Sequence, residues 1–276
     1  MNREKGRVRF LSRATDRPQR RFSRGVSLLP SLFTMANLFC GYACVVYAMR
    51  GEYETAALYI GFAIVLDMLD GRIARLTGTS TDFGLQFDSL ADVISFGIAP
   101  AILSFVWGLT PLGRLGWAAG FVFVTSAAMR LARFNIQSPG GGDKRYFAGM
   151  PSPAAAAIPA STVYFYPAGV SDYRAALPAL AMVLVPAVLM VSTIRFRSFK
   201  TIDLQIRRPY TVLLLIAGAI MLITTHPRFV LVVLSYTYLA SAFIGMAVTR
   251  FRHRGGRAAP EPSVSPATPT RDGIGL

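Results

Sequence analysis

Histidine, cysteine and tryptophan occur only twice each in this 276-residue chain, and charged residues make up 16% of it against 53% for the apolar set. Ordinary soluble domains carry roughly 25% charge, so the composition argues against a soluble globular enzyme, and equally against a disordered or collagen-like chain. Cys40 and Cys44 share one apolar stretch at helical spacing. They make neither a disulfide framework nor a zinc site and read as packing residues. His226 falls between two apolar runs and His253 in a basic tail. No Ser–His or Cys–His pair is in evidence, which argues against a covalent histidine intermediate.

Acidic residues are scarce as well, fourteen against 29 basic, for a net charge of +15. Such an excess invites a nucleic-acid partner, but its distribution argues against one. Nine basic residues precede residue 28, and most of the others border long apolar runs. Those runs read as eight spans, about 28–49, 55–77, 83–108, 114–136, 151–167, 174–194, 209–225 and 228–249, each near the roughly 20 residues that cross a bilayer. With the N-terminus in the cytoplasm, 25 Lys and Arg fall on the inner side and four on the outer, Arg50, Arg114, Arg174 and Arg228. That asymmetry is a strong positive-inside signal. The expected fold is therefore all-α, a polytopic membrane helix bundle of about eight helices with both termini cytoplasmic. Residues 1–27 read as a basic tail, too long and polar for the front of a cleaved signal peptide, 28–250 as the membrane domain, and 251–276 as a disordered tail. Trp107, Trp117 and Tyr164, at span ends, are expected in interfacial aromatic belts.

Four acidic residues, Asp67, Asp70, Asp88 and Asp92, lie inside spans two and three. A carboxylate in the bilayer costs several kcal/mol, about 2.5 or more at the centre, and such groups face a cavity or a partner. Asp67, Asp70, Gly71 and Ala74 follow i, i+3, i+4, i+7 spacing and share a helix face. Gly84, Asp88 and Asp92 make a drifting stripe on the next span. The short loop between the spans makes them antiparallel neighbours. At about 1.5 Å rise per residue, Asp70 and Asp88 form one rung of carboxylates, and Asp67 and Asp92 a second one above it. Four hard oxygen ligands without His or Cys suit Mg²⁺ or Mn²⁺, and small residues beside them admit a bulky ligand. A divalent metal with Arg72 and Arg75 nearby fits a phosphate or diphosphate substrate. Plain structural ion pairing would need fewer carboxylates.

The pattern Asp67-x-x-Asp70-Gly71-x-x-Ala74-Arg75, then Gly84-x-x-x-Asp88-x-x-x-Asp92, resembles the complete signature of the CDP-alcohol phosphatidyltransferases. The resemblance implies an integral membrane enzyme with a six-helix core, here extended, commonly a homodimer. It implies transfer of a phosphatidyl group from a CDP-linked lipid to an alcohol. It further implies divalent metal on Asp67, Asp70, Asp88 and Asp92, with Asp92 also the general base, and contacts to the CDP moiety from Gly71, Ala74, Arg75 and Gly84. Stretches at 29–41, 87–92, 130–135 and 147–154 are similar to the branch of the family that accepts L-serine and uses CDP-diacylglycerol. That branch would bind the serine carboxylate through an arginine fork, with Arg133 the first candidate and Arg130 the second, and Asn37 reaching the same depth from span one. Each has a plainer reading: a topology anchor for the arginines, an interhelical hydrogen bond for Asn37. The segment Gly149–Pro153 either orders a loop over the site or merely starts span five. Other acceptors (glycerol phosphate, inositol, inositol phosphate, choline) stay open. So does a cation transporter that uses the carboxylates as its ion site, although their depth near one face fits it poorly.

Overall fold

The computed structural model describes residues 28–77, 81–137, 146–192, 195–197, 217–218, 221–222 and 224–255. The expected N-terminal tail, the C-terminal tail from residue 256, most of span 209–225 and the loop at 78–80 lie outside these; residues 251–255 of the expected tail continue the last helix. The described chain is helical: α1 (Leu28–Met49), α2 (Tyr53–Thr77), α3 (Asp82–Val93), α4 (Ala99–Ser104), α5 (Arg114–Gln137), α6 (Ser152–Phe165), α7 (Tyr173–Val191) and α8 (Pro227–Gly255). Four helical segments, Ser31–Met49, Phe83–Leu112, Arg114–Ile136 and Tyr173–Val191, are long and apolar enough to cross a membrane. In α2 the apolar run is broken by Asp67, Asp70 and Arg72, and α6, with 14 residues and Pro159 inside it, is short for a span.

α3 and α4 form one rod. A π-helical turn, Ile94–Ile98, joins them, and a second, Phe105–Leu109, leads to a final 3₁₀ turn at Thr110–Leu112. The third span therefore runs past its expected end at 108 to Leu112. Thr81 caps α3, its side chain accepting from the Gly84 amide at 3.0 Å. A side-chain cap recurs at α7, where Asp172 accepts from the Arg174 and Ala175 amides. α1 and α2 form an antiparallel hairpin turned at Gly51, whose φ of 79° suits glycine.

The core has the composition that helix packing in lipid requires. Lipid tails are as apolar as leucine, so helices associate through close contact between small residues. Ala48, Ala56, Ala63, Ala99, Ala127, Ala155 and Ala187 are all fully buried, filled in by Ile60, Phe96, Leu103 and Phe123. Large apolar residues point outward instead: Phe39, Phe62, Trp117, Phe121 and Val188 are exposed, an arrangement a water-soluble surface would not sustain. Trp107 departs from the belt expectation. It is buried, and its Nε1 donates to the Tyr166 carbonyl at 2.8 Å, which satisfies the indole inside the bundle.

Two short strands depart from the all-helical expectation. Three-residue strands β1 (Tyr146–Ala148) and β2 (Arg195–Arg197) pair antiparallel, joining the segment before α6 to the one after α7. The junction is tight at Gly149. Its φ is 87°, and a Cβ there would sit 2.3 Å from the Met190 carbonyl oxygen. Met150 beside it is fully buried and donates its amide to the Leu189 carbonyl. The Gly149–Pro153 segment thus leads from β1 into the start of α6.

Candidate active site

The ends of five elements converge at one pole of the bundle: the first half of α1, the second half of α2, α3, the end of α5 and the start of α6. Carboxylate oxygens of Asp67, Asp88 and Asp92 lie within 4.8 Å of one another. Asp92 is 8% exposed and Asp70 5%, while Asp67 and Asp88 are half-buried.

Asp70 is held differently from this close trio: its Oδ2 accepts a hydrogen bond from the Thr34 hydroxyl of α1. The reason is angular. Residues three apart on an α-helix differ by about 60° around the axis, so Asp67 faces α3 while Asp70 turns toward α1. Asp70 still adds its charge to the field at Asp67 and Asp88.

α1 supplies the supports. Thr34 and Asn37 share a face at i, i+3, and the Asn37 Nδ2 donates to Asp92 Oδ1 at 3.3 Å. Asn37 is 1% exposed, and its Oδ1 is a buried acceptor without a hydrogen-bond partner among the described residues. Such an orphan is uncommon in a folded interior and calls for an explanation. The backbone around Asn37 is held from the opposite helix, where buried Ser95 donates to its carbonyl at 2.9 Å. This contact needs Gly41: a Cβ there would lie 2.8 Å from the Ser95 Cα. Ser95 belongs to the first π turn, which begins two residues after Asp92. Single π turns inside helices recur at functional sites, and this one brings Ser95 onto α1 while Asp88 and Asp92 face α2.

Of the two arginines, the structure brings Arg130 to the carboxylates. It interacts electrostatically with Asp92 and Asp67, and its Nη1 donates to the buried Ser152 hydroxyl, at the first position of α6, at 2.7 Å. Arg133, three residues on, is half-buried. Asn135 ties the end of α5 to α3 by donating to Ser89 at 2.9 Å. Gly71 is exposed and Gly84 half-buried. Ala74 and Arg75 lie in α2, but their side chains are outside the described residues. Thr34 and Ser152 fall within the stretches 29–41 and 147–154 without an individual role expected of either, and Ser95 lies outside every motif.

The donor set can be tested for fit to a divalent cation. It is all hard oxygen, as Mg²⁺ and Mn²⁺ prefer. Among the described side chains, four carboxylates and the Arg130 guanidinium leave negative charge in a largely buried site, which a cation would offset. The residues fit.

The family model of the CDP-alcohol phosphatidyltransferases matches residues 27–194; the chain belongs to this family and is an integral membrane protein. It is 38% identical over 185 residues to the CDP-diacylglycerol–serine O-phosphatidyltransferase of Helicobacter pylori, covering 65% of this chain and 76% of that one. Identity to the enzyme of the same name from Mycobacterium leprae is 36% over 146 residues, 51% and 48% of the two chains. The archaetidylserine synthase of Methanothermobacter thermautotrophicus is 35% identical over 170 residues, 61% and 69% of the two chains.

Proposed function

We propose that this protein transfers the phosphatidyl group of CDP-diacylglycerol to the hydroxyl of L-serine, giving phosphatidylserine and CMP. The observation that carries the reading is the convergence of Asp67, Asp88 and Asp92 on the family's signature, with Arg130 beside them. Serine stands in the names of relatives from bacteria and an archaeon alike, which supports it as the acceptor. Family membership also weighs against the cation-transport alternative.

The reaction is a direct displacement. The serine oxygen forms a bond to the lipid-side phosphorus as the bond from that phosphorus to the CMP oxygen breaks. Asp92 takes the serine hydroxyl proton, its carboxylate held by Asn37. Arg130 offers its fork to the serine carboxylate, and the buried Asn37 Oδ1 accepts from the serine ammonium, which accounts for the orphaned oxygen. Asp67, Asp70, Asp88 and Asp92 would hold one or two Mg²⁺ or Mn²⁺ ions. Bound there, a divalent ion supplies charge neutralisation on the diphosphate. Gly71, Ala74, Arg75 and Gly84 line the CDP side, where the missing side chains of the glycines leave room for the nucleotide.

The charge tally supports eight spans with both termini and the site facing the cytoplasm, in a bacterial inner membrane, and the exposed apolar faces leave room for a homodimer. The test is an acceptor panel. Purified enzyme with CDP-diacylglycerol and serine, glycerol phosphate, inositol, inositol phosphate or choline is scored by product mass. Serine is expected to give the dominant product. A preference for an acceptor without a carboxylate would remove serine and leave the phosphatidyl transfer.

A further inference from the structure

Resting on that reading, we infer that α8, which lies outside the segment matched by the family, contributes Tyr238 as a positioning residue for Arg130. Three contacts fix the register of α8 on α6. The Arg228 guanidinium sits over the Tyr164 ring at 5.5 Å and pairs with Glu54. Ser235 and Ser161 hydroxyls meet at 2.6 Å, and those of Tyr236 and Thr162 at 3.0 Å. As α8 advances from Arg228 to Ser235, α6 is met from Tyr164 back to Ser161, so the helices are antiparallel. Continuing along α8 leads toward Ser152, the residue that binds Arg130.

Tyr238 lies one turn past Ser235, about 4.5 Å further along the axis and on the same face. With Leu239 it packs half-buried against the core. On this face Tyr238 looks into the bundle beside α6, and Tyr238 and Arg130 interact electrostatically. Arg130 thus answers to two helices: Ser152 on α6 takes one N–H, and Tyr238 on α8 acts on the same guanidinium electrostatically. A guanidinium held from two helices keeps its fork in one orientation, which matters for bidentate binding of a planar carboxylate and little for diphosphate binding.

The test is steady-state kinetics on Tyr238→Phe and Ser152→Ala, with both substrates varied. Phe keeps the ring packing and removes only the hydroxyl. The serine KM should rise on the order of tenfold in Tyr238→Phe, the scale of one hydrogen bond to a charged group. The CDP-diacylglycerol KM should stay within about twofold. Tyr238→Phe in an Arg130→Lys background should add little further, because the two side chains act as a unit. An unchanged serine KM in folded Tyr238→Phe, or parallel rises in both KM values, would reduce Tyr238 to packing and overturn the inference while the serine reading stands. A wild-type enzyme that releases no CMP with serine would take down both.

Discussion

Asp67→Asn, Asp88→Asn and Asp92→Asn should each lower CMP release by roughly 10²–10³-fold or more, the scale on which single groups stabilising transition-state charge act. The same variants should be no less stable than the parent when both are stripped with chelator. Carboxylates whose oxygens lie within 4.8 Å repel one another, and an isosteric amide relieves that repulsion. Adding Mn²⁺ or Mg²⁺ should then raise the melting temperature of the parent, since a ligand that binds only the folded state stabilises it, and should do so far less for the variants. Thermal melts in detergent with and without metal check this alongside the activity. Stability lost on substitution, with no metal effect in the parent, would mean the cluster is structural.

Arg130→Ala should cost roughly ten- to a hundredfold in serine KM, because it removes a charge-assisted pair, and should also depress kcat. Asp67 and Asp92 lose the nearby positive charge that acts on them, which leaves the carboxylate cluster less compensated. Arg133→Ala should change either constant by no more than about threefold, the size of an exposed ion-pair effect. Kinetics with serine and CDP-diacylglycerol varied independently separate the two. If Arg133→Ala proved the more damaging for serine, carboxylate recognition would return to Arg133, and the placement of Arg130 would answer to the diphosphate instead.

These two arginines mark how far the sequence could be read. The aspartate signature was legible because helical periodicity and a short loop force Asp67, Asp88 and Asp92 together. Facing within one turn was not. Arg130 and Arg133 differ by about 60° around α5, and which of them enters the site depends on how α5 packs against α3 and α6. The same angular offset gives Asp70 its hydrogen bond from Thr34. The π turn at Ile94–Ile98 had no pattern to announce it, since it is a single extra residue in the winding of an apolar helix. Its effect is to seat Ser95 against Gly41 and so to set Asn37 on Asp92. The strands at 146–148 and 195–197 are too short for period-two alternation to register. Tyr238 sits in a stretch that reads as nothing but lipid-facing span, and its role follows only from the register that Ser235 and Tyr236 impose on α8.

The most direct measurement uses serine carrying oxygen-18 in its hydroxyl, with purified enzyme, CDP-diacylglycerol and divalent metal, and follows the label by mass in both products. Direct attack by the serine oxygen on the lipid-side phosphorus predicts CMP release that requires serine, one heavy oxygen retained in the phosphatidylserine formed, and unlabelled CMP. Label in the CMP, or CMP release indifferent to serine, would contradict the account.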